Sequence, residues 1–159
     1  MESIVVNNTL CDGCLNCSNM CESIHKSSRI KIIEHDSSFY AIVCQHCESA
    51  PCITICPTDA VTDGGVNSEK CIGCGLCVMA CPFGAIAILP YSQKGAPVLQ
   101  KDREVVKVAS KCDLCAGIEG GPACVRVCPN DALHLVNMEE EQLKKSIATA
   151  QSLYDSRLS

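Results

Sequence analysis

The chain has 159 residues, of which 16 are cysteine, five are phenylalanine or tyrosine and none is tryptophan. Its apolar share of 47% counts those cysteines, so little ordinary core remains for one compact domain or two small halves. A formal charge of −5 and 13 scattered basic residues exclude nucleic-acid binding, which relies on neutralising phosphates with Lys and Arg.

The first residues, Met1-Glu2-Ser3-Ile4-Val5-Val6, carry neither a basic segment leading into a long apolar stretch nor a twin arginine, so no export signal is expected. No apolar run approaches the ~18 residues that span a membrane. The expected location is the cytoplasm.

The cysteines then arrive in four quartets. The first is Cys11, Cys14, Cys17 and Cys21. Arg29–Glu34, Asp36-Ser37-Ser38 and Phe39–Val43 follow and predict a hairpin. The second quartet is Cys44, Cys47, Cys52 and Cys56, followed by Pro57. Asp63-Gly64-Gly65 predicts a tight turn between Val61 and Val66. The third is Cys71, Cys74, Cys77 and Cys81, followed by Pro82. Pro90–Asp102 reads as a polar loop with Gly95 and Pro97, leading into a strand at Glu104–Ala109. The fourth is Cys112, Cys115, Cys124 and Cys128, followed by Pro129.

Intervals of two, two and three residues, then proline, are the bacterial [4Fe–4S] signature, and the third quartet matches it in full. Sixteen thiolates make four cubanes with none left over. Three competing readings fail. A disulfide scaffold needs an oxidising compartment, and nothing directs export. Structural zinc uses two separated pairs and does not explain three evenly spaced cysteines, a fourth at plus four and then proline. Covalent haem needs His directly after a Cys-x-x-Cys pair, and none stands there. The fourth cysteine of each motif is expected at the start of a helix, pointing at another cluster, as in two-cluster ferredoxins. Gly13, Gly73 and Gly75 are expected to let the backbone approach sulfur. Metal binding should supply part of the folding free energy.

Cys56-Pro57-Thr58-Asp59-Ala60-Val61 parallels Cys81-Pro82-Phe83-Gly84-Ala85-Ile86 and Cys128-Pro129-Asn130-Asp131-Ala132-Leu133, an internal repeat. Quartets two and three thus form one unit, and quartets one and four are left to pair across the chain. The expected fold is α+β: tandem bacterial-ferredoxin-like units of short hairpins and short helices, with a C-terminal amphipathic helix. The expected division is an outer half (1–43 with 90–136), an inner half (44–89) and the helix (137–159).

Asn137 can cap that helix, with Glu140 completing a capping box and Glu139–Glu141 suiting the dipole. Glu140–Lys144 and Glu141–Lys145 are i, i+4 pairs. Leu143, Ile147, Ala150, Tyr154 and Leu158 form one apolar stripe, set either to fold back on the body or to dock on a partner or a second copy. His25, His35, His46 and His134 are expected to be packed or solvent-facing; for His46, inside the second motif, a contact to a cluster sulfide is the less favoured alternative. Asp59, Asp63 and Asp131 read as turn residues. No nucleophile elbow, phosphate loop or dinucleotide fingerprint is present.

Cys44-Gln45-His46-Cys47-Glu48-Ser49-Ala50-Pro51-Cys52 resembles the second motif of the four-cluster electron-transfer subunits of molybdopterin oxidoreductases and hydrogenase complexes. Lys111-Cys112-Asp113-Leu114-Cys115 with Gly121-Pro122-Ala123-Cys124-Val125-Arg126-Val127-Cys128-Pro129 resembles their fourth. The resemblance runs from Cys11 to Val136 and is strongest to the small subunit of formate hydrogenlyase and of hydrogen-dependent carbon dioxide reductase. It implies four [4Fe–4S] clusters in a crossed arrangement: Cys11, Cys14, Cys17 with Cys128; Cys112, Cys115, Cys124 with Cys21; Cys44, Cys47, Cys52 with Cys81; and Cys71, Cys74, Cys77 with Cys56. Glu22 departs from the motif, where the other quartets have proline. The resemblance implies a non-catalytic electron relay. Its partners would be a molybdenum or tungsten pterin enzyme (formate dehydrogenase or aldehyde oxidoreductase) and a hydrogenase or carbon monoxide dehydrogenase. Two rivals are a free polyferredoxin and a filament-forming scaffold that also conducts electrons. The membrane-linked relatives carry a C-terminal anchor that this sequence does not show, which favours a soluble complex.

Overall fold

The computed structural model describes residues 2–91, 100 and 105–158, with the backbone alone for residues 157 and 158. Most of the expected loop at 90–102 and the first residue of the strand expected at Glu104–Ala109 lie outside the described residues. In chain order the elements are β1 (Glu2–Val6), α1 (Asn16–His25), β2 (Lys31–His35), β3 (Ser38–Ile42), α2 (Pro51–Thr54), β4 (Val61–Thr62), β5 (Gly65–Val66), α3 (Leu76–Ala80), β6 (Ala87–Pro90), β7 (Lys107–Ser110), α4 (Ala123–Arg126), β8 (Leu133–Asn137) and α5 (Met138–Leu158).

The described strands form four two-stranded antiparallel sheets, β1–β8, β2–β3, β4–β5 and β6–β7. Two are local hairpins. Asp36 and Ser37 are both left-handed (φ 47° and 62°), as a two-residue turn matched to strand twist requires. Asp63-Gly64 links Val61 to Val66 in register. The other two sheets join distant segments. β1 pairs with β8, setting Ile4 opposite Leu135. β6, which leaves the third quartet, pairs with β7, which enters the fourth. The N-terminal strand was not expected from the sequence; Ile4 is fully buried and Ser3 donates to the Gln45 carbonyl at 3.0 Å.

Two hydrophobic clusters form the interior, and cysteines make up much of both. One holds Ile4, Ile30, Val43 and Leu133 with Cys17, Cys21, Cys44, Cys112 and Cys124. The other holds Val61 and Ile86 with Cys52, Cys71 and Cys77. Helix α1 packs on α4, and α2 on α3. The repeat is visible in the packing: Ala60, Ala85 and Ala132, each four residues after the last cysteine of a motif, are all buried.

One expectation is corrected. The fourth cysteine does not begin a helix. The third one lies inside the helix in every motif (Cys17, Cys52, Cys77, Cys124), and in motifs two to four the helix has ended before the fourth. Proline at the next position stops it, because a proline ring clashes with the preceding turn. Glu22 explains the exception: with no proline after Cys21, α1 runs on to His25 and stops at the left-handed Lys26.

Helix α5 follows β8 directly, and the described part of its apolar stripe does not fold back on the body; the side chain of Leu158 lies outside the described residues. Leu143, Ile147 and Tyr154 are 61%, 50% and 66% exposed. Asn137 does cap it, accepting from the Glu139 N–H at 3.1 Å. Lys144 pairs with Glu141 at 2.8 Å, one residue nearer than the i, i+4 spacing.

Candidate metal centres

Among the described residues, twelve of the cysteines line three cavities that each draw on two quartets. Cys11, Cys14 and Cys17 share one with Cys128. Cys71, Cys74 and Cys77 share a second with Cys56. Cys44, Cys47 and Cys52 share a third with Cys81. They hold roughly 350, 290 and 370 Å³ of space free of atoms, part of it open to solvent. The remaining four lie together. Burial, and then the negative charge of Cys112, Cys21, Cys115 and Cys17, push the Cys124 thiol up to about 12.

Local geometry explains how the chain wraps sulfur. The second residue after the first cysteine is left-handed in every motif: Gly13, His46, Gly73 and Leu114. The third residue after the last cysteine is left-handed at Asp59, Gly84 and Asp131. That kink turns the next N–H back onto the sulfur it has just passed. Ala60 N donates to Cys56 Sγ at 3.3 Å and Ala132 N to Cys128 Sγ at 3.2 Å. At Cys21, where the helix runs on, the N–H of Arg29 takes this role at 3.2 Å. Ala109 N and Leu114 N reach Cys71 and Cys112 at 3.4 Å. Such donors stabilise a thiolate and tune what it binds.

Burial opposes ionisation. It pushes Cys17 and Cys112 up to about 11, and it raises Cys21, Cys44, Cys52 and Cys77. At Cys56 burial also acts upward, but the N–H groups of Thr58, Val61 and Ala60 outweigh it and hold the thiol below its ordinary value. Buried thiols that ionise only at high pH are stable as ligands once a positive metal core takes the proton's place. The all-sulfur donor set and the inward N–H groups suit a [4Fe–4S] core.

Charged neighbours that the motif reading left out surround two of the sets. Arg29 NH1 lies 2.6 Å from Asp113 Oδ2, and His25 Nε2 lies 3.4 Å from Cys115 Sγ. Burial and Arg29 lower His25. Lys111 is buried, donates to the Asp63 carbonyl at 3.0 Å and lines the Cys44 cavity. His46 lines that cavity too, and its Nε2 is buried without a partner among the described residues. The sequence signal for Lys111 was its place directly before Cys112. Its side chain reaches a different set.

Two family models match the chain: the LdpA Fe-S cluster-binding domain over residues 44–92, and the 4Fe-4S dicluster domain over residues 70–132. A ferredoxin of Methanocaldococcus jannaschii is 44% identical over 144 residues, 88% of this chain and 75% of that one. Hydrogenase-4 component A of Escherichia coli is 34% identical, covering 91% of this chain and 87% of its own. Formate hydrogenlyase subunit 2 of the same organism is 35% identical, covering 84% and 81%. No helix among the described residues is long and apolar enough to cross a membrane.

Proposed function

Because the chain belongs to the family of ferredoxin-like iron–sulfur electron-transfer proteins that includes hydrogenase-4 component A and formate hydrogenlyase subunit 2, we propose that it is a non-catalytic relay with four [4Fe–4S] sites. It would serve a complex that joins a molybdenum or tungsten pterin enzyme, such as formate dehydrogenase or aldehyde oxidoreductase, to a hydrogenase or carbon monoxide dehydrogenase. The ligand sets are Cys11, Cys14, Cys17, Cys128; Cys21, Cys112, Cys115, Cys124; Cys44, Cys47, Cys52, Cys81; and Cys56, Cys71, Cys74, Cys77. When bound, such clusters take up and release single electrons.

The observation that carries this reading is the order of the sets. Cys17 of the first set lies close enough to Cys124 of the second to raise its pKa, after burial and nearer thiols. Cys44 of the third acts in the same way on Cys112 of the second. Cys81 of the third packs against the cluster that holds Cys71 and Cys77 of the fourth. These contacts support a row in the order first, second, third and fourth set. Two of the sixteen thiols are exposed, Cys14 and Cys74, and they belong to the two end sets. The inner sets keep their sulfurs half-buried or buried. A chain that shields the middle of such a row and opens both ends is suited to passing charge through itself.

The chain's own residues have three tasks: to hold the sets in line, to aim N–H groups at sulfur, and to keep water from the middle of the row. Anaerobic iron and acid-labile sulfide analysis is expected to give about sixteen of each per chain, with low potentials near those of plant-type ferredoxins, about −400 mV. Stoichiometric zinc, or a reproducible half of that iron, overturns the reading. Replacing Cys128 with Ser is expected to disturb the site of Cys11, Cys14 and Cys17, and to spare that of Cys112, Cys115 and Cys124.

A further inference from the structure

Resting on the ligand sets given above, we propose that Lys111 makes the site of Cys44, Cys47, Cys52 and Cys81 the most easily reduced of the four. Lys111 is 3% exposed. Its backbone belongs to the segment entering the fourth quartet, yet its ammonium reaches across to the turn after β4 and meets a neutral acceptor, the Asp63 carbonyl. Among the described residues it enters no ion pair. A buried ammonium without a counter-charge is costly. Asp63 lines the same cavity, but its carboxylate makes no ion pair with Lys111 among the described residues, and the charge of Lys111 acts on the thiols of Cys44 and Cys52.

The other sites lack this feature. The lining of the Cys11 cavity contains Asp12 and no lysine or arginine. The lining of the Cys56 cavity contains no charged side chain. The Cys21 set has Arg29 beside it, but Asp113 neutralises that charge at 2.6 Å. The Cys44 set also has the unpartnered Nε2 of His46, which can supply a hydrogen bond to sulfur. One-electron reduction adds one negative charge to a site, the electron coming from the donor enzyme or, in a titration, from dithionite. Net charge and hydrogen bonds to sulfur set the potential, and a buried unpaired cation acts most strongly because screening is weak there. Lys111 thus lowers the energy of an electron at the third set, beside the second, where charge crosses between the two long-range halves of the fold.

The test is an EPR-monitored dithionite titration of the full chain as isolated, with iron and sulfide counted first. Lys111→Gln is expected to keep about sixteen of each and to weaken electron affinity at the highest-potential couple about tenfold or more, which is about 59 mV for one electron. The other three couples stay in place, and Lys111→Arg restores the first. Cys81→Ser is an independent marker that needs no change at Lys111: the highest couple is the one it moves. The proposal is overturned if Lys111→Gln, with full iron content, leaves the highest couple unmoved or shifts all four alike. It is equally overturned if Cys81→Ser moves a different couple. An iron count well below sixteen in the unmodified chain would instead refute the ligand sets themselves.

Discussion

Gly13, His46, Gly73 and Leu114 occupy one equivalent position with one left-handed backbone, yet two of them are not glycine. The surroundings explain this. A Cβ at Gly13 would stand 2.5 Å from the Phe39 ring, and one at Gly73 would stand 2.6 Å from the Lys107 carbonyl oxygen. Gly75 is also left-handed but has nothing within 4 Å of its would-be Cβ. Gly75→Ala is therefore expected to cost only the left-handed strain of ~1–2 kcal/mol. Gly73→Ala adds a clash with the backbone of β7 and should open the β6–β7 ladder. A urea titration of the loaded chain, with iron content, checks it: a large loss for Gly73→Ala and a small one for Gly75→Ala. Equal losses would mean that the close approach at Lys107 does not matter.

The thiols give a pH dependence whose sign can be worked out. In the metal-free chain, Cys17 and Cys112 are pushed up to about 11 and Cys124 to about 12, from 9.0. A group whose pKa is raised by folding adds stability that is complete below its unfolded value and is lost as pH rises through the folded one. The metal-free fold is thus expected to weaken between about pH 9 and 12. The loaded chain, whose thiolates hold no protons, should not weaken in that window. Circular dichroism of both forms across the range is the check, and a flat metal-free curve would refute the burial argument. What the sequence could not reveal at this scale was the company each sulfur keeps. Lys111, Arg29 and Asp113 reach their sites through tertiary folding, and no cysteine spacing encodes that.

Local elements were legible and long-range pairings were not. Asp36-Ser37 and Asp63-Gly64 announced their hairpins because a two-residue turn limits which residues can follow. The α5 helix and its Asn137 cap were legible for a similar reason: capping and charge placement are written within one turn. By contrast, β1 is a five-residue strand whose partner lies more than 120 residues away, so nothing local identified it. The fourth cysteine of motifs two to four follows a helix and does not begin one, because the proline beyond it forbids a further turn. Helix α5 carries the next prediction. It leaves the body at the end of β8, and all sixteen cysteines precede Asn137. Truncation after Val136 is expected to keep iron and sulfide content and to weaken partner binding or self-association. With Leu143, Ile147 and Tyr154 exposed, the loss could reach several kcal/mol, at ~1.5–3 kcal/mol for each fully buried side chain. If truncation empties the metal sites while the intact chain is a monomer that binds nothing through this segment, α5 is a part of the fold and no more.

At the scale of the whole molecule the proposed row of sites would have two ends, each with an exposed cysteine and an exposed leucine in one cavity lining. Leu10 lines the Cys11 cavity beside Cys14, and Leu76 lines the Cys56 cavity beside Cys74. Electron exchange falls steeply with distance, so a donor and an acceptor that use the whole row must each seat on one end. The two faces are remote from one another along the row, and a change at one should leave the other intact. A glutamate placed where an apolar side chain is to be covered must be desolvated on docking, which costs affinity. Leu10→Glu is expected to weaken binding and slow electron exchange with one of the two proposed partner enzymes. Leu76→Glu should do the same for the other. The effect should be about tenfold or more in Kd, or about 1.4 kcal/mol. Both side chains also line the metal cavities, so iron and sulfide are counted first and only variants that keep full content are compared. Stopped-flow reduction by one enzyme and re-oxidation by the other separates the two faces. If both variants slow the same partner, the row is not traversed from end to end, and one face serves donor and acceptor alike.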